Sequence, residues 1–286
     1  MRSATLLMPL SALVAITYGY SEASVMVVKS STGRYGRLAK VAAALAWPDG
    51  MTLSVIPSGH ASAAATFANL PYRSVDDFTT ITLASEYPYV LATNVDSGIK
   101  SVAELISTAR SRPNPMLYGT PGVGSGPHLA IELFAIETKI KVLHVPYRGS
   151  APAVMELVGG RLDFMMDPPA TMMEFIRNGK LRALAVSSAK EYFALPSAPT
   201  IAESGAPGFD VSAWQGLVAP AGLPEPILNR LNAETVRILK DPATVDRMHT
   251  FGNEPAPSTP AEFRKRLVDD IAKWTMVAEQ IHFEKI

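Results

Sequence analysis

The sequence predicts an α/β fold of parallel sheets flanked by helices. Three observations carry that expectation. Short runs rich in Val, Leu, Ile and aromatic residues alternate with segments of helical periodicity through most of the chain. The junctions between them are rich in Gly and Pro, as strand–helix turns require. The length of 286 residues, 48% of them hydrophobic and 18% charged, suits one large domain or two smaller ones with a full core.

Taken in order, residues 1–23 read as a secretory signal peptide. Arg2 is a minimal positive start, Ala4 to Tyr20 carries no charge, and Ser21 and Ala23 are small residues at the −3 and −1 positions of a cleavage site after Ala23. Strand-like runs follow at 51–56, 89–95, 116–120, 141–147, 162–167, 181–188 and 214–220. Between them, SVAELISTARS keeps Val102, Leu105, Ile106 and Ala109 on one helical face. PHLAIELFAIET, APAVMELVGG and TMMEFIRNG read as further helices. From Pro224 the chain reads as all helical: an apolar stripe of Ile227, Leu228, Leu231, Ile238 and Leu239 comes first. A last helix then opens at Thr259, its expected N-cap. No stretch after the first approaches the ~20 apolar residues of a spanning helix.

Four turns carry the candidate chemistry, because in parallel α/β sheets the ligand crevice lies at the carboxyl ends of strands. In YGTPGVGSGPH, Gly119, Gly122, Gly124 and Gly126 let the backbone approach a ligand, and the helix starting near Pro127 and His128 offers free N–H groups and a positive dipole end. Thr120 and Ser125 add uncharged hydroxyl donors suited to a reversibly bound carboxylate. RGSAPA (148–153) repeats the logic, with Arg148 as a solvated side chain or a carboxylate clamp. Asp167, before two prolines, could cap the next helix or accept from a ligand amine or hydroxyl. Ser58 and Gly59 end an earlier strand.

Several function classes are disfavoured. A net charge of zero with no block of like charge gives nucleic acid no footprint. The absence of cysteine excludes disulfides, thiolate metal sites and a Cys nucleophile. The five histidines (60, 128, 144, 249, 282) lack metal-ligand spacing, so neither metal nor cofactor is expected. The phosphate loop lacks its Lys, the dinucleotide fingerprint meets Pro127, and the nucleophile elbow meets Val123 and Pro127, so an enzyme is not expected.

The segments AWPDGMTL, LPYRSVDDF, SVAELISTARSRP, YGTPGVGSGPHLAIELF, VPYRGSAPAVMELVGGRLDFMMD, GKLRALAVSS, LPSAPTIAESGAPGFDVSAWQGLVAPAGLP and FGNEPAPSTPAEF, in that order, resemble the substrate-binding proteins of tripartite tricarboxylate transporters, the Bug or TctC-like family. The resemblance runs from about Val27 to the C-terminus. It implies a two-lobed periplasmic binding protein of the type II, Venus-flytrap kind, monomeric, closing on a small carboxylate and serving membrane transporter subunits. It places residues 24–91 and 217–286 in one lobe and 92–216 in the other, with crossings near Leu91 to Val95 and Trp214 to Leu217. Carried over by motif, the site comprises Thr120, Gly122, Gly124, Ser125, His128, Tyr147, Gly149, Ser150, Ala151 and Asp167, with Ser58 and Gly59 from the other lobe. The resemblance also implies a departure. Ser30-Ser31-Thr32-Gly33-Arg34 replaces the family's usual Asn-Arg-Pro-Gly-Ala, and the opening βα unit is expected to be missing or rewritten, with residues 4–20 as a candidate replacement strand. The alternative reading is therefore a truncated member acting as an interaction or sensor module with little ligand binding.

Overall fold

The computed structural model describes residues 26–29 and 40–286. The signal-like segment, its cleavage point and the Ser30–Arg34 turn lie outside the described residues. The described residues form a five-stranded sheet, a three-stranded sheet and a two-stranded pair beside the latter, with helices packed on them, and the chain passes between the first two along neighbouring strands.

The first sheet is built from β1 (Met26–Lys29), β2 (Thr52–Pro57), β3 (Phe78–Pro88), β9 (Ser212–Pro220) and β10 (Glu254–Pro255), in the order β1-β2-β9-β3-β10. Here β1 runs parallel to β2, with Val27 opposite Leu53. The remaining pairs, β2–β9, β3–β9 and β3–β10, are antiparallel. The second sheet holds β4 (Val90–Asn94) between β7 (Met165–Asp167) and β8 (Leu181–Val186), both antiparallel to it. Beside it β5 (Met116–Thr120) runs parallel to β6 (Val142–Pro146), and a parallel bridge from Tyr118 to Phe164 joins this pair to the β7 side. The expectation of parallel sheets is thus corrected in part. Parallel pairing survives where a helix connects two strands, but strands that cross between sheets or return from a crossing must run against their neighbours.

β3 was absent from the sequence expectation, which saw no strand between 56 and 89. It is buried on both faces along most of its length, so FTTITLASEYP shows no alternation of apolar and polar residues. Its Thr, Ile and Tyr content is nonetheless that of a strand. β10 interrupts the C-terminal region that read as all helical; it is two residues long and too short to leave a pattern.

Apart from Gly59–Thr66 and Ile201–Ser204, which were not anticipated, the helices fall where the sequence signals place them. α1 is Gly59–Thr66, α2 Val102–Ser111, α3 Gly126–Thr138, α4 Ser150–Val158, α5 Pro169–Arg177, α6 Ile201–Ser204, α7 Glu225–Leu239, α8 Pro242–Thr250 and α9 Pro260–Gln280. In α2 the buried residues are Val102, Leu105, Ile106 and Ala109, the predicted stripe. α9 opens with a capping box between Thr259 and Glu262. It lies across the first sheet, where Phe263 meets Trp214 edge to face at 5.3 Å. The Trp214 indole N–H donates to Asp270 Oδ2 (2.6 Å), and Arg266 pairs with both Asp270 and Glu86.

The passages between sheets fall earlier than Leu91 and Trp214. β3 stays paired with β9, through two register shifts, as far as Pro88 opposite Ser212, and β4 is paired within the second sheet from Val90. Tyr89 is the outward crossing and Val211–Ser212 the return. Ser187, fully buried, ties both. Its N–H donates to Tyr89 O (2.9 Å), and Tyr89 N–H donates to Ser187 Oγ (2.8 Å). Ser187 Oγ in turn donates to Val211 O (2.6 Å), and Val211 N–H donates to Ser187 O (2.8 Å). Replacing Ser187 with Ala leaves the Tyr89 N–H and the Val211 carbonyl short of a partner in a buried place. We expect a loss of about 1–3 kcal/mol in denaturant unfolding; a change below ~0.5 kcal/mol would show that the clamp contributes little. A Cβ at Gly216 in β9 would lie 2.1 Å from the Phe263 ring. Gly216→Ala is therefore expected to cost about 1–3 kcal/mol by overpacking, measured the same way.

Candidate functional site

The four turns expected to carry chemistry follow β2, β5, β6 and β7, and the structure gives them different roles. Ser58 follows β2 and begins α1. Its N–H donates to Trp214 O (2.8 Å), which fixes the turn to the returning strand. No side chain caps α1, so the N–H groups of its first turn, at Gly59 and His60, keep the orphan character of an open helix end.

The Gly-rich turn after β5 is closed on itself. Ser125 Oγ donates to Gly122 O (2.7 Å) and accepts from His128 N–H as the N-cap of α3. Thr120, buried, places Oγ1 2.6 Å from His144 Nε2 and accepts from Gly122 N–H. His128 Nδ1 accepts from Gly124 N–H (3.2 Å), which puts the ring proton on Nε2, and the ring stacks on His144 with centroids 4.0 Å apart. The hydroxyls of Thr120 and Ser125 and the imidazole of His128 thus build the turn. Burial holds His128 down to about 3 and His144 down to about 4, so both rings are neutral at physiological pH.

Two glycines of this turn admit protein. A Cβ at Gly126 would sit 2.2 Å from the Tyr89 hydroxyl, and one at Gly124 would sit 3.0 Å from Thr66 Oγ1 at the end of α1. The close approach that suggested room for a ligand is therefore an approach between the two halves of the molecule, and a larger residue at 124 or 126 would wedge them apart.

The third turn remains open. Tyr147 N–H donates to Thr120 O and Gly149 N–H to Pro121 O (3.1 Å), which brings the ends of β5 and β6 side by side. Gly149 has φ +108°, a conformation that L side chains rarely adopt. It presents α4 without any side-chain cap, so the N–H groups of Ser150 and Ala151 lead the helix, and Pro152 has none to offer.

Asp167 ends β7 opposite Val90, one residue past the crossing. It is completely buried. Oδ2 accepts from Thr171 Oγ1 (2.6 Å), the Ser150 hydroxyl lies close enough to pull the carboxyl downward, and Oδ1 has no hydrogen-bond partner among the described residues. Burial raises the carboxyl to about 6 against the pull of those two hydroxyls. Its charge is close enough to Tyr87 and Tyr89 to push both phenols upward, after burial. Ser58 lies close enough to the Tyr89 hydroxyl to pull the phenol back downward. Tyr89 thus links the β2 turn of the first sheet to Gly126 and Asp167 of the second. Ser58 and Gly59 are thereby brought to the same crossing as Gly124, Ser125, Ser150 and Asp167. Tyr89, Tyr87 and Thr66 were not anticipated. Tyr89 opens an apolar strand-like run and reads as part of that strand, and Thr66 ends a helix.

A cavity of ≈ 630 Å³ lies beside the same crossing, with Tyr87, Tyr192, Phe193, Glu254 and Arg266 in its lining. It contains none of the predicted site residues and is walled by the loop after β8 and by β10. Tyr192 Oη donates to Gly252 O (2.8 Å) along that side.

The model of the tripartite tricarboxylate transporter family receptor, TctC, matches residues 20–283. The UPF0065 protein in the tcbD-tcbE intergenic region of Pseudomonas sp. (strain P51) is 34% identical over 250 residues, 87% of this chain and 74% of that protein. Among solved structures, R. palustris Rpa4515 with adipate is 33% identical, with a TM-score of 0.76 over 86% of this chain and 83% of that one. The periplasmic binding protein BugD is 28% identical, with a TM-score of 0.73 over 88% and 85%. The described architecture is that two-lobed fold.

The histidine shifts set a pH dependence. A ring whose folded pKa lies below its unfolded value near 6.5 favours folding fully above that value and loses the contribution as pH falls towards the folded pKa. Between pH 6.5 and 4 the melting temperature should therefore fall. His128→Asn, which retains an acceptor for Gly124 N–H, should make that slope shallower whatever its absolute stability. An unchanged slope would contradict the assignment of His128 as a neutral brace.

Proposed function

Because this chain belongs to the tripartite tricarboxylate transporter receptor family, we propose that it is an exported, periplasmic solute-binding protein that captures a small carboxylate between its lobes and presents it to membrane subunits of a tripartite tricarboxylate-type transporter. The observation that carries the reading is a pair of open helix N-termini, α1 on one lobe and α4 on the other, both following strand ends near Tyr89. Each offers N–H donors and the positive end of a helix dipole, which together suit an anion without a cationic side chain. Adipate in the R. palustris relative supports a dicarboxylate as the class of ligand.

In this reading Gly59, Gly149, Ser150 and Ala151 supply the donors, and Ser58 and Asp167 flank them. Thr120, Gly122, Gly124, Ser125 and His128 hold the wall on which Tyr147 and Gly149 are placed. The lobes are divided at the two crossings, Tyr89 on the way out and Val211 on the return. The ligand favours the closed form by binding it more tightly than the open one. Residues 1–23 direct export.

Calorimetric titration and thermal unfolding with a dicarboxylate panel test the proposal. A saturable heat with a rise in melting temperature is expected for at least one acid. No heat and no rise from any member would favour the interaction-module reading. Gly149→Ala, by straining the turn that aims α4, is expected to weaken the bound acid by roughly 10–100-fold, the equivalent of losing a hydrogen bond to a charged group. An unchanged affinity would remove α4 from the site.

A further inference from the structure

We infer that Asp167 selects, among small carboxylates, those bearing a hydrogen-bond donor on the carbon beside the carboxylate, an α-hydroxy or α-ammonium acid, over the plain dicarboxylate of the same length. The inference rests on the reading of this cleft as a carboxylate site.

The geometry starts from two independent features. The first is the open N-terminus of α4, whose leading N–H groups belong to Ser150 and Ala151. The second is Asp167, fully buried yet with Oδ1 unpartnered among the described residues. Ser150 joins them, since its hydroxyl is close enough to Asp167 to hold the carboxyl down while its N–H heads the helix. A carboxylate seated on the helix end is therefore one hydrogen-bonding residue away from the Asp167 carboxylate. Oδ1 is covered in this form of the molecule, so the substituent on the adjacent ligand carbon meets it when the lobes part and close again around the acid.

The chemistry at that point is one-sided. The groups that face Asp167 are the hydroxyls of Ser150 and Thr171 and the phenols of Tyr87 and Tyr89, none of them cationic. An ionised carboxylate has no donor of its own. Beside a ligand carboxylate it repels, and its free oxygen stays unsatisfied. A ligand hydroxyl satisfies that oxygen, and a ligand ammonium satisfies it and offsets the charge. A site built around such an acceptor rejects the analogue that lacks the donor, because the buried acceptor is then left unpaired.

The carboxyl titrates near 6, which adds a pH signature. Above that value the acceptor is charged and the discrimination is full. Below it, Asp167 carries a proton, Oδ1 becomes able to donate, and plain dicarboxylates gain relative to their substituted counterparts.

The substitution Asp167→Asn discriminates sharply. The amide orientation that keeps the Thr171 hydroxyl donating to its oxygen places the NH2 where Oδ1 stood. An acceptor becomes a donor at constant shape. The experiment is isothermal titration of the full chain at pH 7.5, and again at pH 5.5, with matched sets: succinate, L-malate and L-aspartate; glutarate, 2-hydroxyglutarate and L-glutamate; adipate, 2-hydroxyadipate and 2-aminoadipate. In the wild type at pH 7.5, the hydroxy or amino acid should bind at least about tenfold tighter than its plain counterpart in whichever set binds, with the ratio shrinking at pH 5.5. In Asp167→Asn, checked for cooperative melting, the ratio should fall to one or invert while the plain dicarboxylate gains. Equal binding within every set, or a ratio that survives the substitution, would overturn the role of Asp167 and leave the carboxylate site standing. Silence from every acid in every set would overturn both.

Discussion

Ser187 and the two strands it joins are the constraint on which the rest depends. One buried serine uses its N–H, its carbonyl and its hydroxyl to hold the outward crossing at Tyr89 and the return crossing at Val211. Because these four hydrogen bonds fix where the chain leaves each sheet, they also fix which strand ends face each other. The turn after β2 then meets the turns after β5 and β7 with no need for direct recognition between distant loops. A hinge of this kind has few degrees of freedom: hydrogen bonds at the crossing stay made while the sheets rotate about it.

The turns around the crossing divide into those that brace and those that offer donors. The Gly-rich loop after β5 satisfies its own polar groups through Thr120, Ser125, His128 and the backbone at Gly122 and Gly124. Its glycines remove the Cβ atoms that would strike Tyr89 and Thr66. The starts of α1 and α4 show the opposite arrangement, with no capping side chain on either. An uncapped helix end forgoes about 1 kcal/mol of capping stability. Such an end at a strand terminus, repeated on both lobes, is consistent with donors reserved for an anion. Asp167 adds an acceptor among them, and burial is what raises its carboxyl.

Much of the architecture was legible in the sequence, for identifiable reasons. The α2 stripe and the Thr259 cap follow from periodicity and capping chemistry that act within one turn of helix. The positions of the four turns were equally plain, since Gly and Pro mark junctions wherever they lie. β3 escaped because burial on both faces erases alternation. The crossing at Tyr89 escaped because one strand-like run conceals the point at which the chain changes sheets. The division of labour among the turns was also hidden. Whether Ser125 caps its own helix, or Gly126 faces a ligand or Tyr89, is decided by residues far away in sequence, and nothing local to YGTPGVGSGPH distinguishes these outcomes. The family motifs pointed to the right turns while leaving open which of their atoms were already engaged.

The central claim is that one anion is held by helix ends belonging to opposite lobes. Amide proton–nitrogen correlation spectra recorded during titration with a dicarboxylate that binds would test it most directly. The account predicts that the Gly59 resonance on α1 and the Ser150 and Ala151 resonances on α4 shift together along one saturation curve, while Ser125 and its turn move little. Shifts confined to one lobe, or centred on the loop after β5 with α1 and α4 silent, would contradict it.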